Sequence, residues 1–354
     1  MTRAPEPADT GEQRLLAACE ASARFFRRQL FGDAGAVARA YLRTRGLGQM
    51  LSGGQRFRLG YAPAGRRALT AHLGALGFTA AEIEAAGLAS RWSASGALAD
   101  RFRDRLMIPL NSPHGPIGFI GRVLPGAPET ASKYLNSPTT ALYTKGRHLL
   151  GLVEQADRLA TAERVLVVEG PLDALAAATS TPVPGADLVA ICTCGTALTE
   201  HHIALLEPLA GRITLGFDGD TGGRSAAERA YARFAAAHWT RELDGVILPR
   251  GADPASLREL GGPRALPRVV EGSARPLDQV IVILRIDEAR ERLGSDFRHI
   301  ETRVNLARSL APFAAAAGIP HTSVLTGIIA DRLRLPLSAV VGYVVDELTE
   351  MQRR

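Results

Sequence analysis

Three carboxylates stand where two apolar runs of the sequence stop. Glu169 directly follows the run VLVV, and Asp218 and Asp220 closely follow the run ITLGF. Asp218 and Asp220 alternate, so an extended backbone would turn both carboxylates the same way. Carboxylate oxygens are the ligands that Mg²⁺ prefers, and such ions assist reactions at phosphate groups. These residues therefore predict a magnesium-type site for phosphate chemistry.

The two apolar runs have the pattern of parallel β-strands that each lead into a helix. Residues 165–168 and 213–217 are apolar or β-branched, and Ala-rich helical patterns follow both. The carboxyl ends of parallel strands meet at one edge of a sheet, where open α/β sheets bind ligands. We therefore expect Glu169, Asp218 and Asp220 to lie together at that edge.

Residues next to these acids have more than one interpretation. Gly219, Gly222 and Gly223 would let the backbone approach a ligand closely. Asp173 is either an acid of the first helical turn, which complements the helix dipole, or a carboxylate that faces the metal. The DGD loop alone would also suit an ordinary turn, and its pairing with a strand-ending Glu169 favours the metal site.

Composition sets broad limits on the protein. The chain has 354 residues, of which 46% are apolar, which suits one large domain or two to three packed subdomains. No apolar run approaches the roughly 20 residues of a membrane helix, so we expect a cytoplasmic protein without membrane contacts. Cys19, Cys192 and Cys194 are too few for a structural zinc site, and we expect no zinc.

Charge is distributed unevenly along the chain. Residues 1–162 hold 21 basic and 12 acidic residues, whereas residues 163–255 hold 7 basic and 12 acidic ones. A basic lobe beside a carboxylate-lined edge suits a protein that grips a phosphate backbone and holds cations. A coding bias toward arginine is the alternative explanation.

The predicted architecture is an α+β fold with a mixed N-terminal basic lobe, a central α/β region with a parallel sheet, and a C-terminal helical subdomain. The predicted divisions are a disordered tail at 1–15, the basic lobe at 16–162, the α/β region at 163–255, a connector at 256–276 and the helical subdomain at 277–354. Within the lobe, residues 100–152 predict a small antiparallel sheet. In the helical subdomain the sequence indicates packing rather than chemistry.

Two lysines distinguish the basic lobe from the rest of the chain. Lys133 and Lys145 are the only lysines of the protein, and they flank the segment KYLNSPTTALYTK. In a chain that otherwise uses arginine, they suggest a need for flexible point charges that contact phosphates. Chance placement is the alternative.

Longer motifs resemble a known family. The patterns E-G-x-x-D and D-x-D are those of the TOPRIM motif of primases, topoisomerases and several nucleases. The segments DRFRDRLMIPL, GFIGRVL, SKYLNSPTTALYTKGRHLLGL, LGFDGDTGGRSAAERA and LPRGADPASL follow in the order of the bacterial DnaG-type primase polymerase core. The segment KYLNSP is more specific than the TOPRIM acids and favours a primase.

The resemblance implies roles for individual residues. Glu169 is similar to a catalytic metal ligand and general base of the family, and Asp218 and Asp220 are similar to its catalytic metal-binding pair. Asp253 resembles the first acid of a DPD metal element, in which Ala255 replaces the second acid. Further positions next to the acids are Asp173, Gly170 and Gly222. The residues that resemble the nucleic-acid-binding ridge of the family are Arg56, Arg122, Lys133, Tyr134, Asn136 and Lys145.

The resemblance also implies a function. It predicts a nucleotidyl transferase that uses two Mg²⁺ or Mn²⁺ ions to make short RNA primers from ribonucleoside triphosphates on single-stranded DNA. The sequence shows neither the family's zinc-binding domain nor its helicase-binding domain. A primase encoded by a mobile element, or one whose zinc module is a separate subunit, would explain this. A replicative helicase is the further partner that the family implies. The alternatives are a TOPRIM-type metal-dependent nuclease and a non-catalytic module that binds single-stranded DNA.

Overall fold

The structure is a computed structural model that describes residues 10–52, 56–91, 96–183, 187–209, 211–218, 221–318 and 320–353. The chain forms two compact units. The first consists of Met1–Ile213 and Ala252–Glu271, and the second consists of Thr214–Gly251 and Gly272–Arg354. Among the helices of the described ranges, none has the length and apolar character needed to cross a bilayer.

The first helix begins earlier than the sequence predicts. Helix α1 spans Thr10–Phe31, so the predicted disordered tail is wrong for residues 10–15, and residues 1–9 lie outside the described part. Leu15 is buried, and the Arg14 guanidinium lies 2.7 Å from the Glu82 carboxylate. These contacts come from distant parts of the chain, so a local pattern could not show them.

Short elements connect α1 to the main sheet of the first unit. They are α2 (Ala36–Thr44), β1 (Gly60–Ala62), α3 (Ala68–Ala75), α4 (Ala80–Ala85), β2 (Ala89–Arg91) and β3 (Leu98–Asp100). Single 3₁₀ turns lie at Asp33–Gly35 and Gly48–Leu51. Helix α4 begins with a capping box in which the Thr79 hydroxyl accepts from the Glu82 N–H.

An antiparallel sheet forms the centre of the basic lobe, as predicted. Strands β4 (Arg105–Ser112), β5 (Gly115–Val123) and β6 (Tyr134–Asn136) join β1 in the order β1-β4-β5-β6. One face packs on α1, where the Phe119 ring meets the Phe26 ring edge to face at 5.4 Å. Burial of these rings against Phe102 and Met107 fixes the sheet on the helix.

Parallel strands follow the lobe. Helix α5 (Ala156–Leu159) leads to β7 (Arg164–Val168), α6 (Pro171–Ala178), β8 (Leu188–Cys192) and α7 (Glu200–Leu206). Strands β7 and β8 pair in parallel with Val168 opposite Cys192. Every residue of β8 is buried, which is typical of a strand covered on both faces. This pairing confirms the parallel sheet of the predicted fold class.

The second unit begins within the next strand. Strand β9 (Arg212–Phe217) leads to α8 (Thr221–Ala236) and β10 (Leu243–Ile247). Strands β9 and β10 are neighbours, and the Leu248 N–H donates to the Phe217 carbonyl at 3.0 Å. The order of strand, helix and strand is the one that the sequence pattern predicts.

The predicted connector at 256–276 is wrong. This stretch contains most of α9 (Pro254–Gly261) and all of α10 (Ala265–Ser273), both in the first unit. Its glycine and proline content suggested irregular structure, but Pro254 occupies the first turn of α9, where its missing N–H costs nothing. Gly262 has a φ of 77° and ends the helix in a conformation that suits glycine.

The C-terminal helices form a bundle, as predicted. Strand β11 (Arg275–Pro276) pairs antiparallel with β10. Helices α11 (Leu277–Leu293), α12 (Ile300–Ala316), α13 (His321–Leu333) and α14 (Leu337–Arg353) follow, with a 3₁₀ turn at Gly294–Arg298. Their apolar stripes meet in a common core around Ile286, Leu310 and Ile329.

Candidate nucleic-acid and metal site

Glu169 lies at the end of β7 with its side chain exposed. Its backbone carbonyl accepts hydrogen bonds from the Gly195 N–H at 2.9 Å and from the Cys192 thiol at 3.1 Å. The loop after β8 therefore holds the backbone of Glu169 in place. Cys192 and Cys194 are buried free thiols.

Gly170 and Asp173 form a tight turn after Glu169. A Cβ atom at Gly170 would lie 2.2 Å from Oδ2 of Asp173, so a larger residue would displace this carboxylate. The Asp173 N–H donates to the Gly170 carbonyl at 3.0 Å as α6 begins. Glycine at position 170 therefore allows the Asp173 carboxylate to fold back over the start of its own helix.

Two of the predicted acids contact the N-terminus of α9. Asp253 is the N-cap, and its Oδ1 accepts from the Ser256 N–H at 2.6 Å. The Oδ1 atom of Asp173 accepts from the Ala255 N–H at 3.1 Å. Both carboxylates thus satisfy N–H groups that no helical carbonyl can reach. This contact supports the helix-stabilising interpretation of Asp173, although the sequence suggested its own helix rather than α9.

Asp218 lies at the end of β9 in the second unit, and its side chain is exposed. A Cβ atom at Gly223 would lie 2.1 Å from the Asp218 carbonyl oxygen, so glycine lets the first turn of α8 rest on this backbone. Gly222 is exposed in the same turn. Asp220 and Gly219 lie outside the described residues. Within the described ranges, no three acidic, histidine or cysteine side chains form a group able to hold a metal ion.

Arg122 and Tyr134 meet on neighbouring strands of the lobe. The two residues are paired across β5 and β6, and the guanidinium carbon of Arg122 lies 5.0 Å from the centre of the Tyr134 ring. Nε of Arg122 donates to the Tyr41 hydroxyl at 3.2 Å. We call these three residues, Tyr41, Arg122 and Tyr134, the arginine–tyrosine cluster.

One nitrogen of this cluster lacks an acceptor. Nη1 of Arg122 is buried and has no hydrogen-bond partner among the residues that the structure describes. A buried N–H group without a partner costs free energy, and a charged one costs more. A phosphate oxygen is the kind of acceptor that a guanidinium binds best.

The arginine–tyrosine cluster lies close to the Asp173 turn. Burial raises the pKa of the Tyr134 phenol, the Arg122 charge opposes this shift, and the Asp173 charge adds to it. The phenol therefore stays protonated at neutral pH and can donate its O–H. Basic and acidic parts of the predicted site are thus brought together within the first unit.

Asn136 links the lobe to the loop after β8. Its side-chain amide donates to the Cys194 carbonyl at 3.3 Å, and its own carbonyl accepts from Nη2 of Arg101 at 2.9 Å. Because the same loop binds the Glu169 backbone, β6 and the end of β7 are coupled through a few hydrogen bonds. Asn136 therefore acts in positioning, and its amide is already engaged.

The remaining basic residues have different surroundings. Lys133 is exposed, and its carbonyl accepts from the Val123 N–H at 3.1 Å, which places it next to Arg122 in the sheet. Lys145 is also exposed. Arg56 forms an ion pair with Asp157, which offsets part of its charge and weakens its assignment to a nucleic-acid surface.

Two further residues support side chains of the predicted site. Tyr41 is buried, and its hydroxyl accepts from Arg122. Arg101 belongs to the motif DRFRDRLMIPL, which marked the segment without showing that this side chain supports Asn136. No local signal distinguishes such residues, because their partners are distant in the sequence.

Family models and curated proteins match most of the chain. The model for the N-terminal domain of the DNA primase catalytic core matches residues 25–156, and a Toprim-like model matches residues 166–257. A DNA primase of Pseudomonas putida is 33% identical over 315 residues, which cover 88% of this chain and 45% of that protein. A DNA primase of Mycobacterium tuberculosis is 35% identical over 314 residues, with 84% and 45% covered. The chain therefore spans about half the length of these relatives.

Solved structures match the fold. The RNA polymerase domain of the Mycobacterium tuberculosis primase DnaG, in complex with double-stranded DNA, is 30% identical with a TM-score of 0.74, and the match covers 92% of this chain and all of that chain. A DnaG primase catalytic domain bound to single-stranded DNA is 30% identical with a TM-score of 0.69, and the match covers 93% and 98% of the two chains.

Proposed function

The chain belongs to the bacterial DnaG-type primase family, and we propose that it synthesises short RNA primers on single-stranded DNA as a template-directed nucleotidyl transferase. The observation that carries the proposal is the unpartnered Nη1 of Arg122. It lies in an arginine–tyrosine cluster beside Asp173, in the same unit as Glu169. A group that binds strand phosphates and a strand-ending carboxylate are the two components that primer synthesis requires.

The lobe would bind the template through its backbone phosphates. Arg122 offers a buried guanidinium nitrogen, Lys133 and Lys145 offer exposed ammonium groups, and the Tyr134 ring stacks on the Arg122 guanidinium. Contacts of this kind hold a strand without reading its sequence. Asn136 positions β6 against the loop that holds Glu169, and Arg56 is a weaker member because Asp157 already pairs with it.

Glu169, Asp218 and Asp220 are the residues that would hold divalent ions. Their oxygen donors suit Mg²⁺ or Mn²⁺, and Glu169 and Asp218 are exposed directly after their strands. When bound, two such ions would supply charge stabilisation for the attacking and leaving oxygens of nucleotidyl transfer. Asp253 is proposed as an outer ligand through Oδ2, because its Oδ1 caps α9. Gly170 leaves room for the Asp173 carboxylate, and Gly222 is proposed to let the backbone approach the ions.

The substrates that we propose are single-stranded DNA and ribonucleoside triphosphates. The DNA complexes of the similar catalytic domains support a template role for DNA. A replicative helicase or a separate zinc-binding subunit is proposed as the partner that brings the catalytic core to its start site.

Primer synthesis on a random single-stranded DNA template with labelled ribonucleoside triphosphates tests this function. We expect metal-dependent oligoribonucleotides from the unaltered chain and none from the variant Asp218→Asn/Asp220→Asn, because amides bind divalent ions more weakly than carboxylates. Template binding without metal should be equal in both proteins.

Two outcomes would contradict the proposal. Cleavage of the DNA without synthesis would identify a TOPRIM-type nuclease. Binding of DNA without either reaction, together with no binding of Mn²⁺, would identify a non-catalytic module.

A further inference from the structure

A cavity in the second unit is lined by arginines. It has a volume of about 330 Å³ and lies at the end of β10, against β11 and α11. Its floor is apolar and includes Leu248, Val280 and Leu284. The guanidinium groups around it belong to Arg224, Arg250, Arg275 and Arg332. The helices after residue 277, which form one side of the cavity, were predicted to serve packing, so the charge around it needs a separate explanation.

Two of these arginines are paired with carboxylates. Arg224 forms a two-pronged ion pair with Glu291, with nitrogen–oxygen distances of 2.7 and 3.0 Å. Nη1 of Arg332 lies 3.4 Å from both carboxylate oxygens of Asp287. Asp287 also lines the cavity, and its carboxylate is shared between Arg332 and Arg290.

The other two arginines form no ion pair of their own within the described part of the chain. Arg250 and Arg275 are exposed, and neither has a carboxylate within ion-pair distance among the residues that the structure describes. Nε of Arg275 makes a long contact of 3.5 Å with the Ser273 carbonyl. The cavity lining therefore holds four guanidinium groups and one carboxylate beside apolar side chains, and Glu291, which acts on Arg224 and Arg250, offsets part of the positive excess. Charges beside a surface of low dielectric constant interact more strongly than charges in open water.

A neighbouring cavity shows how arginines are used when their role is structural. Nη1 of Arg303 donates to the Leu333 carbonyl at 2.9 Å, and Nη2 of Arg290 donates to the Arg332 carbonyl at 3.3 Å. These contacts satisfy carbonyls at the C-terminal end of α13. Arg275 makes only the long contact with the last carbonyl of α10, and Arg250 has no such contact among the residues that the structure describes, so helix capping does not account for their position at the cavity.

We propose that this cavity is a phosphate-binding site, separate from the template-binding lobe, for the phosphate groups of a polyphosphate or a nucleic-acid strand. Its volume is at the lower end of the range for small-ligand cavities, about 300 to 1,000 Å³. Planar guanidinium groups bind phosphate oxygens through two parallel hydrogen bonds. The position at the carboxyl end of a strand is also where α/β sheets bind ligands.

Isoleucine methyl groups of the cavity provide a local readout. Ile247 and Ile283 line the cavity, so their methyl resonances, assigned by Ile→Val substitution, report occupancy at this place only. Inorganic triphosphate without divalent ions should shift both signals saturably. The variant Arg250→Gln/Arg275→Gln should bind about tenfold more weakly or worse, because charge-assisted hydrogen bonds are lost.

Two further variants separate charge from structure. Arg353→Gln, an exposed position of α14 in the same unit, should bind triphosphate like the unaltered chain. Arg250→Lys/Arg275→Lys should retain intermediate affinity, because lysine keeps the charge and loses the planar fork. Equal melting temperatures would show that each variant is folded.

A labelled oligothymidylate distinguishes the source of the phosphate. Shifts with triphosphate alone indicate a free polyphosphate, whereas shifts with the oligonucleotide alone indicate a strand. The proposal is overturned if neither ligand shifts the two isoleucines, or if the double glutamine variant binds as tightly as the unaltered chain. The measurement uses no metal and no catalysis, so its outcome is independent of the primer-synthesis result.

Discussion

Individual side chains of the lobe show how the fold orients the arginine that we propose as a phosphate ligand. Arg122 is held from two sides, by the Tyr41 hydroxyl and by the Tyr134 ring. One nitrogen of its guanidinium still lacks an acceptor within the described part of the chain. This arrangement orients the charge before any ligand arrives, which reduces the entropy lost on binding.

Loss of the Arg122 guanidinium should therefore weaken DNA binding. We expect Arg122→Ala to reduce the affinity for single-stranded DNA about tenfold, and Arg122→Lys to recover part of it, because only arginine offers the planar fork. Fluorescence anisotropy with a labelled oligonucleotide measures this change. The control is Arg91→Ala, an exposed arginine that pairs with Glu84. Equal affinities of the two alanine variants would disprove the role of Arg122.

Gly170 provides a second prediction for a single residue. A methyl group at this position would push the Asp173 carboxylate away from the Ala255 N–H. We expect Gly170→Ala to lower the free energy of unfolding by about 1 to 3 kcal/mol, because a donor at the start of α9 loses its partner. Urea denaturation measures the change.

The control for this change is Gly74→Ala. Gly74 lies in α3, and a Cβ atom there would contact nothing within 4 Å. Alanine should leave stability unchanged or raise it by up to about 1 kcal/mol. When Asp173→Ala is already present, adding Gly170→Ala should lower the free energy of unfolding much less than it does in the unaltered chain. Equal effects in the two backgrounds would show that the two residues act separately.

Among the elements, helix α9 combines a structural and a proposed chemical role. Asp253 caps the helix, and Asp173 satisfies a second N–H of its first turn. Burial of Ala255 in the same turn leaves no space for the second acid of the DPD element without rearrangement. In the first turn of α9, the Ala255 side chain is therefore packed in the core, while the N–H groups of Ala255 and Ser256 donate to the carboxylates of Asp173 and Asp253.

Asp253→Asn separates capping from metal binding. Asparagine caps helices as well as aspartate does, so the free energy of unfolding without metal should stay within about 0.5 kcal/mol. Asp253→Ala should lower it by about 1 kcal/mol. Calorimetric titration with Mn²⁺ measures the other property, and both variants should bind it more weakly if Asp253 is a ligand. Unchanged Mn²⁺ affinity in both would restrict Asp253 to the helix cap.

Helix α7 should make stability depend on pH. His202 is fully buried in the capping box with Thr199, and burial lowers its pKa from 6.5 to about 4, while the charges of His148 and His201 add to this shift. The unfolded chain therefore binds a proton on this residue at a higher pH than the folded chain does. The contribution of neutral His202 to the free energy of unfolding is complete above pH 6.5 and is lost as the pH falls from there toward about 4.

Urea denaturation at about pH 7.5 and about pH 5 tests this dependence. His202→Gln removes the ionisable group, so its stability should fall less between the two conditions than that of the unaltered chain. Only the difference between the two proteins is informative, since burial also lowers the pKa of His148. The same pH dependence in both proteins would rule out His202 as the cause.

At the scale of the whole molecule, charge is concentrated in the N-terminal part of the chain. The excess of basic residues in residues 1–162 predicts binding to nucleic acid that weakens as salt rises. Lys133 and Lys145 are the exposed lysines of this region, and each is proposed to neutralise one strand phosphate. A bound phosphate releases counterions from the strand, so the number of contacts determines the salt dependence.

Removal of both lysines should flatten that dependence. For Lys133→Ala/Lys145→Ala, we expect the slope of log affinity against log salt to fall by about 1.4, which corresponds to about 0.7 for each lost contact. Lys133→Arg/Lys145→Arg should keep the slope. Anisotropy titrations at several salt concentrations measure both. A slope that does not change in the alanine variant would remove these lysines from the template surface.

The sequence by itself determined the parallel strands, the ends of those strands before Glu169 and Asp218, and the helical character of the C-terminal part. It also determined the family, because motifs such as KYLNSP carry their information locally. Hydrophobic periodicity and turn residues act over a few neighbours, so they can be read from a linear chain. The same locality explains why residues 277–354 could be predicted as a helical subdomain.

Only the tertiary structure decided the partners of these residues. It showed that α1 begins at Thr10, that the predicted connector contains helices α9 and α10, that Tyr41 holds Arg122, and that the acids Asp173 and Asp253 serve α9. It also brought four arginines from separate elements around one cavity. Hydrogen bonds and ion pairs between residues far apart in the chain depend on packing, and packing is decided by the whole fold rather than by any one segment.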